Sequence, residues 1–85
     1  MVDINKLRGE INSIDKQIIK LLENRFETVK KVWKIKTANN QQLRDKIHEK
    51  ILIDNLIEKS NLSKKFIKQI YEQILNENPK YFKQK

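Results

Sequence analysis

Arg25 and Lys36 stand three whole helical turns apart, so on one helix they point the same way with backbones ~16 Å apart. Two long cationic side chains at that spacing can reach toward one small anion between them. Asp45, His48 and Glu49, three and four residues apart, make one stripe on a second helix and a candidate opposite wall. Asn78 can close the site from a third helix. Such a cluster suits a small polyanion that needs orientation and electrostatic help rather than covalent chemistry. The sequence has no Ser/His/Asp or Cys/His nucleophile arrangement, no glycine-rich phosphate loop and no metal-ligand cluster, so no metal and no cofactor is expected.

The elements that must position these groups follow from the apolar spacing. Ile4, Leu7, Ile11, Ile14, Ile18 and Leu21 alternate by three and four, the signature of a helix with one buried seam. The same count continues onto Arg25, then Thr28, Val32 and Ile35. A cation therefore occupies a core position, where an unpaired charge costs several kcal/mol, roughly, unless a partner or ligand compensates it. Either Arg25 pairs with an acid such as Glu49 or Asp45, or it awaits an anion. Arg8 is the third cation near this seam. It lies on the order of 25 Å from Arg25 along the axis and is rotated by roughly 100°, so it can join the same site only from a second copy of the chain.

Three helices are expected. The first runs from Asp3 or Asn5 to about Thr37, on the order of 50 Å. A polar loop, Ala38 to Gln42, follows. The second helix begins around Leu43 to Asp45 and runs to about Lys59, and its Ile51-Leu52-Ile53 run predicts burial on most sides. Ser63 is a good N-cap for the third, whose stripe is Phe66, Ile67, Ile70, Tyr71, Ile74 and Leu75, with Asn78 next. Pro79 should end it, because the residue before a proline avoids helical geometry. The expected organisation is one domain over residues 1–79 and a loose basic tail over 80–85. Neither short helix can cover more than about half of the first. Pairing two chains through their first helices would bury the remaining seam.

With 85 residues, no cysteine and one histidine, neither disulfides nor a closed zinc site can enlarge the small core, which leaves oligomerisation. The net charge of +8 favours an anionic partner. The basic residues are spread over all three helices without a recognition helix, which argues against nucleic acid. No stretch approaches a membrane span and the N-terminal residues are not a secretory signal, so a cytoplasmic protein is expected.

Four segments in order resemble the all-helical chorismate mutase family: Leu7-Arg8-Gly9-Glu10-Ile11-Asn12-Ser13-Ile14-Asp15, Leu21-Leu22-Glu23-Asn24-Arg25, Lys34-Ile35-Lys36 and Arg44-Asp45-Lys46-Ile47-His48-Glu49. The likeness extends from about Leu7 to Asn78. It implies an all-α, intertwined homodimer that rearranges chorismate to prephenate without a cofactor. By that resemblance Arg25, and Arg8 from the other subunit, grip the substrate carboxylates, and Lys36 donates to the ether oxygen. Asp45 and Glu49 hold the ring hydroxyl, Asn78 matches a polar position of the last helix, and Val32, Leu52 and Leu75 supply an apolar wall. His48 stands where the family carries an arginine. Phe82 stands where it carries Gln or Glu, with Gln84 as a possible substitute from the tail. A lyase acting on isochorismate, or a weakly active or non-catalytic metabolite-binding relative, is the alternative on the same scaffold.

Overall fold

A computed structural model describes residues 3–84. Its described residues form three helices and no strand: α1 (Ile4–Ala38), α2 (Lys46–Lys59) and α3 (Lys64–Phe82). α3 packs on both α1 and α2.

Each helix begins at a side-chain cap. The Asp3 carboxylate accepts from Asn5 N–H, Asp45 from His48 N–H and Ser63 from Phe66 N–H, each satisfying a donor that the first turn leaves free. The end of α1 is a double cap. Asn40 takes the left-handed conformation (φ 56°), and Gln41 N–H and Asn40 N–H return to the carbonyls of Lys36 and Thr37 at 2.8 and 3.2 Å. Asparagine tolerates that conformation better than most residues. The cap reverses the chain within a few residues and sets Leu43 beside the last turn of α1. Along α1, Thr28 and Thr37 return their hydroxyls to the carbonyls four residues back, so Thr28 brings no unsatisfied group to the seam.

Two expectations require correction. α3 does not stop at Pro79 but runs through it to Phe82, so Lys80, Tyr81 and Phe82 belong to the helix rather than to a loose tail. Proline removes one helical hydrogen bond and crowds the preceding turn. Aromatic packing beyond it offsets that cost. Phe82 meets Trp33 edge-on with ring centroids 5.4 Å apart, and Tyr81 stacks on Phe26 at 5.3 Å. Tyr81 also donates a hydrogen bond to Glu27. The second correction concerns α2, which has no fully buried residue within its own chain: Ile51 is exposed, and Leu52 and Ile53 are half-buried.

The core is correspondingly small. Trp33, Ile67, Ile74 and Leu75 are its buried apolar residues, all on the second half of α1 and on α3. The first half of α1 has no cover. Ile4, Leu7, Ile11, Ile14, Ile18 and Leu21, the predicted seam up to Arg25, are exposed, up to 66% for Leu21. The chain measures 60 × 31 × 16 Å with a radius of gyration of 16.4 Å. A compact domain of this length has a radius of about 12 Å.

Candidate active site

Arg25, Lys36, Asp45, His48, Glu49 and Asn78 line one pocket of about 190 Å³ between the second half of α1, the start of α2 and the end of α3. Six of the seven residues predicted from sequence are thus brought together. Val32, Leu52 and Leu75 line it too, with Val29, Trp33 and Leu43. Arg8 is the exception: it is exposed on the uncovered half of α1 and does not line this pocket.

The two halves of the site are positioned by caps. The double cap after Ala38 places Leu43 so that its carbonyl accepts from Lys36 Nζ at 3.2 Å. An ammonium has three donors, so two remain for a ligand. Across the pocket, Asp45 caps α2 with one oxygen and projects from the turn just before His48 and Glu49. The stripe expected on a continuous helix therefore survives, although α2 starts only at Lys46.

The acid pairing considered for Arg25 is not made. The ion pairs among the described residues are Arg44–Glu49 and Lys80–Glu77. Arg25 instead lies with its guanidinium carbon 5.8 Å from the Tyr71 ring centre, and its Nη1 is buried with no hydrogen-bond partner. Asn78 is 6% exposed, and its Oδ1 is likewise buried without a partner. Native proteins leave few such atoms unsatisfied, since each costs about 1–3 kcal/mol. Two of them on the lining of one cation-rich pocket point to a ligand that bears both acceptors and donors.

Arg44, quoted above only as part of a motif, has a role that its sequence position does not announce. It donates through Nε and Nη2 to the two oxygens of Glu49, at 3.1 and 2.8 Å, and through Nη1 to Asn76 at 3.2 Å. The hydrogen bonds to Glu49 raise its pKa above the already high ordinary value, so its charge is permanent. Helical periodicity could not reveal this pair, because Arg44 precedes the α2 cap. Phe82 is half-buried against Trp33, outside the pocket lining, and exposed Gln84 does not line the pocket either. Neither residue supplies a second donor there. No helix among the described residues is long and apolar enough to cross a membrane.

The chain matches the family model for chorismate mutase type II over residues 7–81. It is similar to the bifunctional chorismate mutase/prephenate dehydratase of Buchnera aphidicola subsp. Schizaphis graminum (strain Sg), at 39% identity over 79 residues, which is 89% of this chain and 20% of the relative. The protein of the same name from Buchnera aphidicola subsp. Acyrthosiphon pisum (strain APS) is 42% identical over 74 residues, 84% of this chain and 19% of the relative. The chain spans about a fifth of the length of the curated relatives it matches.

Proposed function

The chain belongs to the chorismate mutase type II family, and from that premise we propose that it rearranges chorismate to prephenate as a homodimer. One observation carries the reading: Arg25 Nη1 and Asn78 Oδ1 are buried without partners in a pocket that also holds Lys36, Asp45, His48 and Glu49. Chorismate supplies carboxylates for the guanidinium and one hydroxyl proton for an acceptor of the pocket.

In this mechanism the protein forms no bond to substrate. Arg25 and the partner's Arg8 hold the two carboxylates and select the folded conformer in which the reacting carbons approach. Lys36 has two free donors for the ether oxygen, on which negative charge grows as the carbon–oxygen bond breaks. Asp45 and Glu49 hold the ring hydroxyl, one of them accepting its single proton, and Val32, Leu52 and Leu75 exclude water. His48 adds a donor at the edge of the site, with less positive charge than a guanidinium when neutral.

Several features support a second copy. A pocket of 190 Å³ is smaller than the ~300–1,000 Å³ of complete small-molecule sites, as fits a site still lacking a wall. The uncovered seam of α1 leads to an apolar groove of about 460 Å³ lined by Ile18, Leu21, Leu22, Ile70 and Ile74, with Arg25 at its edge. An antiparallel pairing of first helices would bury both and bring the partner's Arg8 toward Arg25. A cytoplasmic location goes with the reading, since a cysteine-free chain suits a reducing compartment.

Loss of chorismate absorbance with purified protein, with the product identified by chromatography, tests the proposal. Prephenate formed well above the uncatalysed rate is the expected result. A folded, dimeric protein that leaves chorismate untouched would overturn it, and release of pyruvate from isochorismate instead would identify the lyase.

A further inference from the structure

Glu49 is a liability in the site described above. A carboxylate that lines the same pocket as Arg25 and Lys36 can neutralise the cations meant for a dianion. It does not do so here because both of its oxygens are already engaged. Arg44 holds them in a two-pronged pair, and that guanidinium does not line the ligand pocket. It lines a more open cavity of about 700 Å³ that it shares with Lys36 and Asp45, and a groove of about 430 Å³ between α2 and α3, which Glu49 also lines. Its third hydrogen bond, to Asn76 on α3, fixes the guanidinium there. A planar fork suits this task as a lysine would not, because one ammonium cannot hold both carboxylate oxygens in the same geometry.

We propose that Arg44 is a positioning residue: by holding both oxygens of Glu49 from outside the pocket lining, it keeps that carboxylate from pairing with Arg25 and Lys36 and leaves those two cations open to a dianionic substrate. The inference rests on the chorismate reading. The remaining lone pairs of Glu49 stay available to accept the ring hydroxyl while its charge is balanced by Arg44.

This role differs from simple bracing of the fold in one measurable way. If Arg44 only braced α2 against α3, removing Glu49 in addition could not repair its loss. If Arg44 restrains Glu49, then neutralising Glu49 removes the harm. Steady-state kinetics with chorismate on the native chain, Arg44→Met, Glu49→Gln and the double variant separate the two. Arg44→Met is expected to raise KM about tenfold, equivalent to ~1.4 kcal/mol, with a smaller change in kcat. Adding Glu49→Gln should lower the KM of Arg44→Met by about threefold or more, a coupling of opposite sign to two independent losses. A double variant whose KM equals or exceeds that of Arg44→Met overturns the inference, provided the native chain is active. Absence of rearrangement by the native chain overturns the functional reading, and the inference falls with it. Should Arg44→Met not fold, as judged by thermal melting, Arg44→Lys replaces it: its KM must also rise, and must also fall when Glu49→Gln is added.

Discussion

The unpartnered guanidinium of Arg25 predicts that the site is held together at the expense of stability. Replacing Arg25 with methionine keeps an unbranched stem of similar reach and removes the charge. Burying Nη1 without a partner costs about 1–3 kcal/mol, which the substitution would relieve. Against this stands the loss of the contact with Tyr71, 5.8 Å from the guanidinium carbon and worth ~0.5–1 kcal/mol. The net expectation is a gain of ~0–2.5 kcal/mol. At roughly 4–8 °C per kcal/mol for a domain of this size, the melting temperature should range from unchanged to about 20 °C higher. Calorimetric melts of ligand-free native and Arg25→Met protein at equal concentration measure it, since stability linked to association depends on concentration. Turnover of chorismate by the same variant should fall by ~10²–10³, as when one donor to a developing charge is removed. A melting temperature several degrees lower than native would refute the reasoning: it would mean that Arg25 is a satisfied structural cation, and the case for an anion waiting to be bound would lose its main support.

Lys36→Ala is expected to leave the proposed dimer assembled in size-exclusion chromatography while lowering kcat by ~10²–10³, and near-native turnover would exclude an electrostatic role for Lys36. Mixing inactive Arg8→Ala and Arg25→Ala chains under exchange should restore activity, because one of the two sites in each mixed dimer recovers both arginines; no recovery would contradict a site shared between subunits. Tyr81 gives a prediction in pH. Its hydrogen bond to Glu27 raises the phenol above its ordinary value near ~10, so the neutral form is the one stabilised in the folded chain. That stabilisation is complete below the unfolded pKa and disappears as pH rises through the folded one. The melting-temperature difference between native and Tyr81→Phe should therefore be constant through neutral pH and shrink in the alkaline range above ~10.

Much of the arrangement was legible because helical period is a geometric rule. Counting by threes and fours placed the apolar seam, located Arg25 on it and put Lys36 on the same side. The same geometry showed that Arg8 could not reach Arg25 within one chain. What escaped depended on contacts remote in sequence. A local rule stopped α3 at Pro79, but Trp33 and Phe26, some fifty residues earlier, hold Phe82 and Tyr81 in a continuing helix. Burial of Ile51-Leu52-Ile53 was expected from composition, yet a single chain has too little surface facing α2 to provide it. The role of Arg44 went unread because its partner lies across a helix cap, where no periodic stripe connects the two.

The bare first half of α1 has a kinetic side as well. Among the described residues, those of this segment have no intramolecular surface to fold against. A short isolated helix is marginal in water, and its apolar stripe adds a tendency to stick indiscriminately. Under the two-copy reading, native structure in this segment arises only on encounter, so acquiring the fold becomes a second-order event. Dilution would then act as a denaturant, and the rate at which a newly made chain becomes competent would rise with the number of its siblings nearby.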